Sequence, residues 1–367
     1  YATKSKLAGG EPFTGVVDPH SGEGATVKDV CDVYLDAKKR AVEAKDIQQR
    51  TFDEYRGTCV RIADEFGRGR AVATLGPSDF AKLRATLTAI CGPVRLGNEV
   101  QRVRSVFKFA FDSELIDRPV RFGPEFKGAS RRAIRERRNA IGARLASREV
   151  LQKLLAESTP IVKAMILLGI NAAFGASDIG SLPIGAVDFH NGFIEFPRPK
   201  TAMPRRAKLW PETLAALTWV RDNRTTPADR KHEPLLFITQ QTGRPWMRYT
   251  ADGGKIDNVR HEFRKVVLKV GANVHFYDLR RTFRTVADET GDQVAIRLVM
   301  GHVSAAGDMD ATYRQKIGDD RLEKIAAHVH AWLWPPTPAA PKKKAAPRKK
   351  SAAKKATKKT AKRKPAE

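Results

Sequence analysis

Tyr277-Asp278-Leu279-Arg280-Arg281-Thr282-Phe283 is the stretch on which the reading of this chain turns. Tyr277 and Arg280 are three apart, so at the start of a helix they share one face. Further on, Val299-Met300-Gly301-His302 closes an apolar helix with glycine and sets an imidazole on the following turn. Eleven residues after His302 comes Tyr313, in Ala311-Thr312-Tyr313-Arg314. Upstream, Lys200 lies in Pro197-Arg198-Pro199-Lys200-Thr201, a basic turn between two short predicted strands, Phe193-Ile194-Glu195-Phe196 and Ala207-Lys208-Leu209-Trp210. An arginine, a histidine, a lysine and a tyrosine without carboxylate clusters suit metal-free attack on a phosphodiester. The phenol would be the nucleophile, and the cations would neutralise charge on the phosphoryl oxygens. Neither a metal nor a cofactor is expected.

Composition points to the same class of partner. The 367 residues include 67 Lys and Arg against 41 Asp and Glu, a net charge of +26. Residues Pro335 to Glu367 carry +12 of it, on eleven Lys, two Arg and one Glu, and the remaining chain keeps +14. Such an excess attracts polyanions, so nucleic acid is the first partner to consider. The most apolar stretch, Ala164 to Ala176, is too short and too polar to span a bilayer and reads as a buried helix, so no membrane role is expected. Cys31, Cys59 and Cys91 are odd in number and about thirty residues apart, which fits buried free thiols in a reducing interior. The expected place is cytoplasmic and DNA-associated. Because the chain begins at Tyr1, a removed leader stays open.

The chain divides by pattern into a loose Gly- and Pro-containing leader over 1–25, a helical domain over 26–125, a basic linker over 126–147, a second domain over 148–333 and a tail over 334–367. Val27, Val30, Val33 and Tyr34, and again Val100, Val103, Val106, Phe107 and Phe111, repeat at helical spacing. Breaks fall at Gly76-Pro77 and Gly92-Pro93, giving four or five helices. Arg131, Arg132 and Arg135 lead a run of arginines in the linker. In the second domain, helical periodicity runs from Glu149 to Ala173, and helices resume near Pro211, Asn258, Asp278, Gln293 and Arg321. The fold class is mainly α (α+β) with a small antiparallel sheet.

The ordered set Asp278-Leu279-Arg280-Arg281-Thr282-Phe283, Gly301-His302 and Tyr313, behind a helical domain, resembles the tyrosine recombinase (phage integrase) family over residues 26 to 333. The resemblance implies a two-lobed clamp around duplex DNA, with a helical core-binding domain and a catalytic domain. It implies DNA strand cleavage and rejoining through a 3′-phosphotyrosyl link on Tyr313, without metal or nucleotide. Lys200 would protonate the 5′-hydroxyl leaving group. Arg280 would hold the scissile phosphate, with His302 assisting it or acting in proton transfer. Self-association on DNA is expected with it, as are DNA recombination and integration.

Three departures stand out. The family's first arginine falls in a Gly-Leu-Arg-x-x-Glu pattern; here Ala173-Phe174-Gly175-Ala176-Ser177-Asp178 puts Gly175 in its place and keeps Asp178 as the acidic partner. Tyr277 stands where the family has His, and the gap from His302 to Tyr313 is slightly long. Losing a charge-assisted donor at a developing oxyanion costs ~10²–10³ in rate. Arg198, Arg205, Arg206 and Arg244 are the candidates to reach in from loops. Two readings therefore follow: a recombinase, or a recombinase-fold DNA-binding protein with impaired catalysis and a histone-like tail. Plainer roles stand beside each residue: Tyr313 as a packing residue, His302 as a helix-end residue, Lys200 as a solvated surface lysine, and Asp178 as a helix cap. Arg131, Arg132, Arg135, Arg198, Arg205, Arg206 and Arg281 are expected to bind DNA. So is the tail, with Lys342, Lys343 and Lys344, which is expected to be disordered in solution and to contact phosphates without reading bases.

Overall fold

The computed structural model describes residues 24–250, 254–302 and 316–335. The expectations for Tyr313, for residues 1–23 and for Lys342, Lys343 and Lys344 concern residues outside these. Among the described residues the architecture is mainly helical, with two small antiparallel sheets.

The first body is built from α1 (Val27–Glu43), α2 (Gln49–Phe66), α3 (Pro77–Ile90) and α4 (Pro93–Asp112). Thr26 opens α1 through a reciprocal capping box with Asp29, which satisfies amides the first helical turn leaves unpaired. Pro77 and Pro93 start α3 and α4, where a missing N–H costs nothing. Its core is aromatic: Phe80 meets Phe66, Phe107, Phe122 and Phe126 at centroid distances of 4.8–5.5 Å. Buried Glu99 of α4 accepts from Thr58 Oγ1 and Arg61 Nη2 of α2, each at 2.8 Å, pinning the two helices together. Cys31 and Cys59 are buried, whereas Cys91 is only half-buried.

The linker is not plain connector, since Arg131–Ile141 forms a helix, α5, capped by the Ser130 hydroxyl. None of its residues is buried, so its arginines keep their charge in solvent. Gly142, at φ 72°, ends it in a conformation that favours glycine. Just beyond, the Ala146 amide donates to the buried Thr282 hydroxyl at 2.9 Å.

The second body holds a separate core running from Ala146 to Leu333. The helical run expected over 149–173 is two helices, α6 (Arg148–Glu157) and α7 (Pro160–Asn171), because Pro160 cannot continue α6 and instead starts α7. α7 is buried on nearly every side. Its one polar interior residue, Asn171, accepts from the Trp210 amide at 2.9 Å and donates to the Lys208 carbonyl at 3.0 Å. After the short α8 (Ala176–Gly180), β1 (Val187–Asp188), β2 (Phe193–Glu195) and β3 (Arg206–Lys208) form an antiparallel sheet in that order, with Ile194 opposite Ala207. The ladder stops short of the expected Trp210, which caps α9 (Pro211–Asp222). A hairpin that carried no clear sequence signal, β4 (Met247–Tyr249) and β5 (Lys255–Asp257), precedes α10 (Asn258–Val270). Then come α11 (Phe276–Asp288), α12 (Gln293–Met300) and α13 (Asp319–Leu333). The indole N–H of Trp210 donates to the Ala326 carbonyl at 2.8 Å and fastens α13 to the sheet side. No helix among the described residues is long and apolar enough to cross a membrane.

Candidate active site

Three helix ends and one β-turn meet around Arg280. Packing brings them there: at Gly169 of α7 an added Cβ would stand 2.7 Å from Leu279 Cδ1, so glycine allows α7 and α11 to close up. That contact seats Arg280, the next residue, in the interior with only 1% of its surface exposed. Its Nη1 donates to the Ala173 carbonyl and its Nη2 to the Met300 carbonyl, both at 2.6 Å. These carbonyls belong to the ends of α7 and α12, where the helix dipole favours a cation. Both turns are shaped for the task. Ala173 holds φ 56°, unusual for a residue with a Cβ, and Gly301 ends α12 at φ 57°.

His302 follows directly, and its Nε2 lies 2.9 Å from Arg280 Nη2. A guanidinium can only donate, so Nε2 accepts and the imidazole proton sits on Nδ1. Burial, then the charges of Arg280 and Arg198, lower the His302 pKa from 6.5 to about 4. The ring is therefore neutral at physiological pH and offers an Nδ1–H donor. Burial, then Arg198, also lowers the Arg280 pKa to about 10, which leaves it charged.

Within electrostatic reach of Arg280 lies Arg205, just before β3. Its side chain is fully buried; Nε donates to the Phe196 carbonyl and Nη1 to Asp178 Oδ2, both at 3.0 Å. Its guanidinium carbon lies 3.7 Å from the centre of the Phe174 ring. Asp178 Oδ2 also accepts the Gly175 amide at 2.8 Å, so this carboxylate both caps α8 and pairs an arginine. Gly175 itself has an ordinary extended backbone, φ −90°, and the nearest neighbour of a Cβ added there would be Asp178 Oδ2, at 3.4 Å. Arg198 is half-buried on the β2–β3 turn. A Cβ at Gly301 would lie 3.0 Å from its Cβ and 3.6 Å from that of Arg205, so all three backbones crowd together.

The remaining sequence candidates divide. Tyr277 is 45% exposed, beneath the Arg281 guanidinium at 5.2 Å. With Arg280, Arg281, Arg284, Arg144 and Met300 it lines an open basic cleft of about 540 Å³. Lys200 is exposed on the same turn as Arg198. Arg281 pairs with Asp278 at 2.8 Å. Arg206 faces away from the pocket and pairs with Asp319 and Glu195, and Arg244 lines a different cavity with Lys231 and Arg248. Arg131, Arg132 and Arg135 are exposed on α5. Lys255 of β5 was not foreseen. It reaches Ser177 Oγ at 3.3 Å, and its pKa is lowered, first by burial and also by Arg50 of α2 in the first body. Among the described residues, no group of three or more His, Cys, Asp and Glu side chains is placed to share a metal ion.

Two features escaped the sequence reading: Phe174 as the platform under Arg205, and the burial that singles out Arg205 among the four loop arginines. A signal for the second was present. Arg205, Ala207 and Leu209 alternate through β3 and the residue on either side of it, and all three are buried.

No protein-family model matches this sequence, and no curated protein matches it. Solved structures do match. A lambda integrase tetramer bound to a Holliday junction superposes with a TM-score of 0.57 at 12% identity, over 85% of this chain and 86% of that one. The Tn1549 transposon integrase in complex with transposon right end DNA gives 0.56 at 14% identity, over 84% of this chain and 100% of that one. A lambda integrase dimer bound to a COC′ core site gives 0.54 at 12%, over 81% and 80%. Identities this low speak for architecture alone, and the architecture of this chain is the tyrosine recombinase fold.

Proposed function

We propose that this protein binds duplex DNA and breaks and rejoins its strands through a tyrosyl–phosphate ester. The observation that carries the reading is Arg280: a buried guanidinium with a neutral imidazole at its Nη2, held at two helix C-termini on a recombinase fold. Burying a charge is costly unless it is paired and hydrogen-bonded, and a phosphodiester oxygen is the anion such a donor pair fits. In the proposed reaction the Tyr313 phenol loses its proton to solvent and its oxygen bonds to phosphorus. The bond to the 5′-oxygen breaks, and Lys200 gives that oxygen a proton. Arg280 and the Nδ1–H of His302 hold the non-bridging oxygens, which favours His302 as a phosphate donor over a base. Tyr277, at the mouth of the basic cleft, donates its hydroxyl to DNA. The exposed arginines of α5 and the excess positive charge of the chain supply sequence-independent attraction to the backbone. DNA-bound dimers and tetramers among the structural neighbours support self-association on DNA.

The alternative, a DNA-binding protein that no longer cuts, draws on the lack of a side chain at Gly175. One assay separates the two. A nicked suicide duplex should trap a covalent protein–DNA adduct with the parent protein and none with Tyr313→Phe. DNA binding without any adduct would decide for the alternative.

A further inference from the structure

Charge does not balance around Arg280. Arg198, Arg205 and Arg280 stand within electrostatic reach of one another, and one carboxylate, Asp178, answers them. Hydrogen bonding does not balance either. Among the described residues, Arg205 Nη2 and Arg280 Nε are buried without a partner. A charged donor shut away from water is costly to leave unpaired, and beside three guanidinium groups an anion is the ligand that would satisfy it.

We propose that Arg205 is a second anion-binding residue of this site, gripping the same phosphate as Arg280. Its setting fits that task. Nε is tied to Phe196 and Nη1 to Asp178, the plane lies on Phe174, and Nη2 is the one nitrogen left over. A guanidinium held by three contacts loses almost no rotamer freedom on binding, so its remaining donor is preorganised. The same carboxylate explains why Gly175 can lack a side chain: the guanidinium that Asp178 orients arrives from the β2–β3 turn instead of from α8. Arginine at either position would meet Asp178, because a Cβ at Gly175 already stands 3.4 Å from Oδ2 on an unstrained backbone.

The inference rests on the strand-cleaving reading, and its test has an arm that does not. With the full chain and the nicked suicide duplex, Arg205→Met should lower the rate of adduct formation ~10²–10³-fold, the loss typical of one oxyanion donor. Gly175→Arg placed in that background should recover at least tenfold. Arg205→Lys keeps a charge beside Asp178 and loses the planar fork; it should fall more than tenfold while folding like the parent, so the question stays open to test if the methionine variant does not fold. The second arm measures how far inorganic sulfate raises the unfolding midpoint beyond sodium chloride of equal ionic strength. That increment should vanish in Arg205→Met and return with Gly175→Arg. A folded Arg205→Met or Arg205→Lys protein that forms adducts within threefold of the parent rate would overturn the inference. So would an equal sulfate increment in all variants, whether or not the parent cuts DNA. Absence of adduct with the parent, alongside the expected sulfate pattern, would overturn the cleavage reading and leave Arg205 as an anion ligand.

Discussion

Replacing Asp178 with alanine should destabilise the second lobe far more than removal of a surface acid. The carboxylate caps α8 through the Gly175 amide, and losing such a cap costs ~1 kcal/mol. It is also the partner of a fully buried Arg205, and orphaning a buried charge costs ~3–5 kcal/mol. Together these come to roughly 4–6 kcal/mol, or on the order of 10–20 °C in Tm for a body of this size. Arg205→Met alone strands the opposite charge and should cost ~3–5 kcal/mol. The pair Asp178→Ala/Arg205→Met removes both charges, so its cost should fall at least ~2 kcal/mol below the sum of the singles. The chain supplies its own probe. All five tryptophans, Trp210, Trp219, Trp246, Trp332 and Trp334, lie in the second half, so urea unfolding followed by tryptophan emission reports that lobe. Additivity of the two substitutions within ~0.5 kcal/mol would refute the reasoning, since it would mean the ion pair is not coupled in solution.

Other outcomes follow from the same geometry. His302 has a folded pKa of about 4 against an ordinary 6.5, so between those values the unfolded chain binds more protons; stability should be full above pH 6.5 and decline as pH falls toward 4. Urea midpoints across that range should show the decline in the parent and lose part of it in His302→Gln; identical slopes would count against a half-buried neutral ring. Gly169→Val should wedge α7 from Leu279 and cost ~1–3 kcal/mol by tryptophan-monitored unfolding, and a neutral result would mean the helices have slack there. Deleting Pro335 to Glu367 removes +12 of charge and should weaken non-specific DNA binding while lowering the salt slope by ~0.9 per lost phosphate contact. Unchanged affinity across a salt titration would sink that assignment.

Helical periodicity and the Gly-Pro breaks made the first lobe readable, because Pro77 and Pro93 begin helices for a local reason that sequence carries. The recombinase fold was legible from the order of Arg280, His302 and Tyr313 together with the upstream helices. The split of α6 from α7 at Pro160 was equally local and could have been taken from the same rule. What escaped were consequences of packing at long range. Nothing near Arg205 in the chain announces Asp178, 27 residues away, or the Phe174 ring beneath its guanidinium. Arg205 was read as one of four loop arginines able to reach in, and the alternation that buries it gains force only once Ala207 is known to face inward. The β4–β5 hairpin hid for a similar reason: Met247-Arg248-Tyr249 and Lys255-Ile256-Asp257 are too short and too polar to read as strands alone.

The bond between Ala146 and Thr282 gives the molecule a mechanical character. α5 ends at Gly142, and four residues later the backbone is fastened to α11, two positions beyond Arg280. The backbone that leaves α5 is thus tied to the very helix that carries the buried guanidinium. Arg144, within that segment, and Arg281, on α11, border both clefts beside it. A displacement of the segment would be felt first at the helix that sets Arg280.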